Sequence, residues 1–312
     1  MHKRPVAGAR VRVSKISSSN TFTATVHAPD HIKQIGTSVH MLLLGTVALR
    51  AAAALHAGAV LIEHNFLSGM ELDAARSATQ MLHSRVDSSP AIVSALPSAD
   101  ETVRACEMLD LLSDDVWQQL PAGLKSVVRK IDALRAELAC TTARPLVEDA
   151  ELQLLRYAPA GHYVRHVDDC GGSNSELSDR PVRRSISLLL YLTPDGWRDE
   201  YGGRLRIHAT KDKVRVHRPH SSGNGVAEVL SDSTYDVTPT AGSLVLFDSA
   251  TVPHEVLPTM LERSVVVGWL LEARTAERGG DPSDLPAGAG RQRPSTRPRH
   301  TRRCNCVDSH LL

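Results

Sequence analysis

The sequence predicts an α+β fold, a jelly-roll barrel of short antiparallel strands braced by N-terminal helices, and three observations carry that reading. From about Leu152 to Glu272 the chain is a series of short β-type segments separated by turn residues. Ahead of that series, between Leu67 and Leu138, apolar residues recur with helical spacing. The two ends differ from the middle, with a basic Ser/Thr-rich leader and a tail rich in Pro, Gly and Arg.

The elements follow in order. Residues 1–29 carry Lys3, Arg4, Arg10, Arg12 and Lys15 with no acid before Asp30. That composition fits an organelle transit peptide and fits an unstructured basic leader equally well. Met41 to Ile62 is apolar but holds Arg50 and His56, and an arginine at the centre of a membrane helix costs roughly 2.5–3.5 kcal/mol on insertion scales. An Ala-rich helix running into a first strand is the better reading, with a signal anchor as the alternative. A helix is expected from Leu67–Ser68 to Leu82, with Ser68 as cap and Glu71 at capping-box spacing. Ser84 to Thr102 reads as a loop. Val116 to Leu138 reads as one or two amphipathic helices broken at Pro121, with Leu124, Val127, Val128, Ile131, Leu134 and Leu138 on one side.

The barrel strands come next: Leu152–Tyr157, the His166 segment, Arg184–Leu192, Gly203–Ile207, Thr234–Val237, Ser243–Phe247, the His254 segment and Ser264–Leu271. Thr193-Pro194-Asp195-Gly196, Gly202-Gly203 and Thr240-Ala241-Gly242 between them are turn chemistry. Two polar loops, Asp169–Arg180 and the basic Lys211–Gly225, are candidates for substrate contact.

Within this frame His166 and Asp168 are separated by one residue, and residues i and i+2 of a strand point to one face, so an imidazole and a carboxylate converge there. His254 supplies a second imidazole from another strand. Two histidines and one carboxylate that leave open positions are the ligand set of non-haem Fe(II) oxygenases. A catalytic zinc site uses the same ligand types, and 15 histidines make such a triplet a weak signal by itself. Arg263, nine positions beyond His254, offers a planar fork for a carboxylate, and an arginine aimed into a barrel interior is costly without an anion.

Several ordered motifs agree beyond the triplet. Arg156-Tyr157, Gly161-His162-Tyr163-Val164-Arg165-His166-Val167-Asp168, Tyr191-Leu192, Gly202-Gly203-x-Leu205-Arg206, Val237-x-Pro239, Leu244-x-Leu246-Phe247, Pro253-His254-Glu255-Val256 and Arg263 together resemble the 2-oxoglutarate- and Fe(II)-dependent prolyl hydroxylases. The similarity is greatest to the oxygen-sensing and Skp1-type prolyl 4-hydroxylase branch. It implies a double-stranded β-helix, with His166, Asp168 and His254 holding Fe(2+). It further implies that Arg263 and Tyr191 hold the distal carboxylate of 2-oxoglutarate and that Tyr157 lines its pocket. Trp269 and Arg184 would lie near the substrate proline. The reaction implied is hydroxylation of a prolyl residue in a protein or peptide, consuming molecular oxygen and releasing succinate and CO2, with ascorbate as a supporting reductant. Two departures stand out: Val267 occupies the place of a hydrogen-bonding threonine, and no serine follows Arg263 at the second position. Without the resemblance, Tyr191 and Trp269 read as core residues and Arg184 as a solvated strand end.

The organisation expected is an extension over 1–58, a dioxygenase domain over 59–275 with its barrel core at about 152–272, and a basic, disordered tail over 276–312. A formal net charge of +1 argues against a nucleic-acid partner. Five scattered cysteines do not make a secreted disulfide framework and favour a reducing compartment, cytoplasmic or nuclear, with no membrane span. The alternatives by class are a 2-oxoglutarate oxygenase acting on a small molecule and a non-catalytic binding module built on the same barrel.

Overall fold

The computed structural model describes residues 11–15, 22–26, 44–91, 100–169, 181–209, 214–217, 226–229, 234–274 and 306–307, and the chain forms two compact units, Met1–Val47 and Ala48–Leu312. In the first unit β1 (Val11–Lys15) and β2 (Phe22–Val26) pair antiparallel, Val11 opposite Val26. A strand pair thus stands in the leader, whose VRVSK and FTATV segments alternate apolar and polar residues. Helix α1 (residues 44–56) leads into β3 (Val60–Glu63), as expected. Its Arg50 reaches Glu63 at 2.7 Å, which accounts for a cation in an apolar stretch. No described helix is long and apolar enough to cross a membrane.

Helix α2 (Met70–His83) begins one residue later than its sequence suggests: Gly69, at φ 47°, is the N-cap, and no side chain caps the helix. Glu71 is turned instead to Lys130, whose Nζ lies 2.8 Å from its carboxylate. After β4 (Ser89–Pro90) and β5 (Glu107–Asp110) come α3 (Asp114–Gln119) and α4 (Ala122–Thr141), separated at Pro121 as predicted. Leu124, Val127, Val128, Ile131, Leu134 and Leu138 are the buried stripe of α4. At the crossing with α2 a Cβ on Gly123 would lie 2.2 Å from the carbonyl oxygen of Ala74, so the close approach requires glycine there.

All eight expected barrel strands form. They are β6 (Leu146–Tyr157), β7 (Tyr163–Val167), β8 (Val182–Tyr191), β9 (Leu205–His208), β12 (Thr234–Val237), β13 (Leu244–Asp248), β14 (His254–Val256) and β15 (Arg263–Ala273), with β10 (Val214–His217) and β11 (Val226–Val229) between β9 and β12. The larger sheet runs β11-β10-β3-β13-β8-β15-β6-β5-β4, and the smaller runs β12-β9-β14-β7-β16, where β16 is Cys306–Val307. Every pairing is antiparallel except β10 with β3, which is parallel. Strand β10 corrects the reading of Lys211–Gly225 as a loop; residues 210–213 and 218–225 lie outside the described residues, as do 170–180 of the other candidate loop and all of 275–312 except β16.

The two sheets face each other across a core that includes Leu189, Val245, Val265, Leu205, Ile207 and Val237. Strand β8 is buried along nearly its whole length. One face of such a strand belongs to the barrel interior and the other must be covered, the condition under which a strand reads as a continuous apolar run. These are the two packed faces of a double-stranded β-helix with helices outside it.

Candidate active site

The barrel interior brings the predicted residues together. Strands β7 and β14 are antiparallel neighbours with His166 and His254 in register, and their rings lie 4.2 Å apart between centroids. Asp168 follows β7 directly, and its backbone N–H is held by the carbonyl of Ser249 at 3.1 Å. His166 Nε2 is 3.6 Å from Asp168 Oδ1, and His254 Nε2 is 3.7 Å from Oδ2. One ligand atom from each of the three lies within 4.8 Å of the others, and all three side chains are buried.

The protonation pattern suits a cation. His166 Nδ1 is 2.8 Å from the carbonyl of Val164, and His254 Nδ1 is 3.0 Å from that of Val252. A carbonyl accepts, so each Nδ1 carries the hydrogen and each Nε2 presents its lone pair to the shared point. Burial, helped by the neighbouring His166, lowers the His254 imidazole to about 4, which keeps it neutral at physiological pH. Burial would raise the Asp168 carboxyl, but His254, His166 and Arg184 outweigh it and hold the group well below the usual carboxylate range. Tyr163 stacks on His166 at 3.6 Å and Phe247 meets His254 edge-on at 4.7 Å, fixing both rings.

Two hydroxyls that the sequence reading did not single out complete this end. Ser187 Oγ donates to Asp168 Oδ2 at 2.6 Å and lies 2.9 Å from Ser249 Oγ. The signal was available: Ser187 shares strand parity with Leu189 and Tyr191, so a polar residue was already due inside the barrel.

Arg263, at the start of β15, is fully buried. Its Nη1 donates to the carbonyl of Gly203 at 2.5 Å, whereas Nε and Nη2 have no hydrogen-bond partner among the described residues. Gly203 has φ 65°, and a Cβ there would press on Arg263 Cδ at 3.1 Å, so the glycine pair leaves room for the guanidinium. The rings of Tyr157 and Tyr191 flank it, at 4.8 and 5.3 Å from Cζ. The Tyr191 hydroxyl also has no partner among the described residues, and burial, against the pull of Arg263, pushes its pKa up to about 12. A buried cation with two open donors beside an un-ionised phenol has the chemistry to accept a carboxylate.

Arg184 and Trp269 lie on the Asp168 side. The guanidinium stacks 3.6 Å over the indole, is ion-paired to Glu151 at 2.5 Å and reaches the carbonyl of Asp168 at 3.5 Å. Arg184 is therefore an interior residue, not a solvated strand end. Val267 is buried on the same strand face as Arg263 and Trp269, and offers no hydrogen bond where the resemblance led to a threonine.

Residues 152–271 match the family model of the 2OG-Fe(II) oxygenase superfamily. This stretch is a 2OG-Fe(II) oxygenase domain. The chain is similar in structure to a prolyl-4-hydroxylase from Pseudomonas putida, with 24% identity, a TM-score of 0.54, and coverage of 73% of this chain and 99% of that one. It is also similar to a prolyl hydroxylase from Trichoplax adhaerens, solved with a peptide fragment of a hypoxia inducible factor oxygen degradation domain, at 17% identity and a TM-score of 0.58 over 74% and 91% of the two chains. A prolyl 4-hydroxylase from Phytophthora capsici has the same fold, at 18% identity and a TM-score of 0.51 over 80% and 70%. No curated protein matches the chain significantly. The oxygenase domain brings Fe(II) and 2-oxoglutarate with it, and the donor set found here, two imidazole Nε2 atoms and a carboxylate beside an open guanidinium fork, fits both.

Proposed function

We propose that the protein is a prolyl hydroxylase that acts on a proline in a protein or peptide, consuming molecular oxygen and 2-oxoglutarate and releasing succinate and CO2. The observation that carries it is the pairing, inside one barrel, of a buried His-Asp-His cluster with an arginine whose Nε and Nη2 await an acceptor. When bound, Fe(II) and 2-oxoglutarate supply the oxygen activation, which is cofactor chemistry. Catalytic domain boundaries of 59–275 hold His166, Asp168, His254 and Arg263, while β16, paired with β7, lies outside them.

The chain's own residues do the positioning. His166, Asp168 and His254 would hold the metal. Arg263 and Tyr191 bind the distal carboxylate of 2-oxoglutarate, Tyr157 walls its pocket, and the surrounding apolar residues exclude water. Trp269 and Arg184 form the wall nearest Asp168, where a prolyl ring would lie against the indole. Ascorbate would serve to keep the iron reduced. The prolyl reading is supported by the ordered sequence motifs and by a fold shared with prolyl hydroxylases. Its test is incubation with Fe(II), 2-oxoglutarate and a proline peptide library, scored by a mass gain of one oxygen. Succinate formation driven by small molecules and by no peptide would replace the prolyl substrate with a small-molecule one.

A further inference from the structure

We infer that Ser187 is a positioning residue for the metal site, setting the plane of the Asp168 carboxylate, and that Ser249 orients Ser187; the inference rests on Asp168 being a metal ligand. The χ2 torsion of aspartate is broad and roughly two-fold, so no rotamer preference fixes where its two oxygens point. Asp168 also stands just past the end of β7, outside the regular ladder. What holds its backbone is Ser249, whose carbonyl accepts from the N–H groups of Asp168 at 3.1 Å and Asp169 at 2.9 Å. What holds its side chain is Ser187, through the 2.6 Å bond to Oδ2.

The direction of the hydrogens follows by elimination. An ionised carboxylate only accepts, so the Ser187 hydroxyl spends its single proton on Asp168. The contact between Ser187 Oγ and Ser249 Oγ, 2.9 Å long, must then be donated by Ser249. The result is a two-hydroxyl chain ending on the carboxylate, each member polarising the next. Both serines are fully buried, so no solvent competes for these bonds. Both are anchored by regular structure: Ser187 lies within β8, paired with Phe247 on β13 and Trp269 on β15, and the Ser249 N–H donates to the carbonyl of Ser185 at 3.1 Å. The relay therefore transmits the rigidity of the larger sheet to a ligand that leaves the smaller one.

The test is titration of the full chain with Mn(II), followed calorimetrically, which needs no turnover. Ser187→Ala should weaken Mn(II) binding by about 10- to 100-fold, the usual consequence of losing a group that orients a ligand. Ser249→Ala should have a smaller effect, and Ser187→Thr, which keeps the hydroxyl, should recover most of the affinity. A double-mutant cycle separates positioning from a general loss of structure: in an Asp168→Ala background, Ser187→Ala should cause no further loss. Unchanged Mn(II) affinity in Ser187→Ala, or additive losses in the cycle, would overturn the relay. Failure of the unmodified chain to bind Mn(II) would instead overturn the ligand assignment of Asp168 and with it the proposed function.

Discussion

The two ends of the barrel interior are both buried and both polar, yet they are finished to different degrees. At the metal end the polar groups are mutually arranged: both imidazoles are turned by backbone carbonyls, and Asp168 is held by Ser187 and Ser249. At the other end Arg263 makes one bond to the carbonyl of Gly203 and keeps Nε and Nη2 open, with the Tyr191 hydroxyl open beside them. A buried donor without a partner costs about 1–3 kcal/mol, more when charged. The metal end is thus built in advance, whereas the Arg263 end would, on the proposed function, be completed by its ligand.

The largest expected effect breaks the metal end. His166→Ala or His254→Ala should abolish succinate formation while circular dichroism stays that of the folded chain, since apolar strands hold the barrel. Normal turnover in His254→Ala would end the assignment. Zinc should bind at the same residues without supporting turnover, because it has no accessible redox chemistry.

Next comes the Arg263 end. Arg263→Ala removes a charge-assisted bond of about 1.5–3 kcal/mol and should raise the KM for 2-oxoglutarate by roughly ten- to two-hundredfold. Mn(II) affinity should hardly change, and Arg263→Lys should keep part of the binding. Equal damage to metal and cosubstrate binding would show that the two ends are not separable.

The metal end should also leave a signature in pH. Burial and His166 depress His254 from 6.5 to about 4, so between those values the unfolded chain binds the extra proton and the folded chain does not. The His254 contribution to the stability of the metal-free protein is then full above pH 6.5 and is lost as the pH drops toward 4, on the order of 3 kcal/mol; below that the depressed Asp168 carboxyl continues the decline. Denaturant unfolding across this range should show the slope, and His254→Gln should flatten it.

The smallest effect sharpens the comparison. Tyr191→Phe deletes one neutral donor and should weaken 2-oxoglutarate by about three- to tenfold, near 0.5–1.5 kcal/mol.

Much of this was legible in the sequence because it depends on local period. The His166–Asp168 spacing, the parity of Arg263, Val265, Val267 and Trp269, the break at Pro121 and the apolar stripe of α4 all follow from strand or helix repeats. What was not legible depends on distant partners. Strand β10 exists because Val216 meets Val60, over a hundred residues away in the chain. The α2 boundary fell at Gly69 and not Ser68 because Leu67 N–H is held by the carbonyl of Gly242 and Glu71 is drawn to Lys130. Arg184 read as a strand end because its partners, Glu151 and Trp269, sit on two other strands.

Strand β15 carries a consequence for how the molecule is made. It lies between β8 and β6, both of which leave the ribosome earlier, and it is the last of the eight expected barrel strands to do so. Until residues 263–273 emerge, the inner edges of β6 and β8 face no neighbour, and contacts so distant in sequence form slowly. Arg263 arrives with that stretch, nine residues after His254, so the site as a whole is completed only as the strand edges close. The interval of greatest aggregation risk therefore closes with the same segment that completes the site.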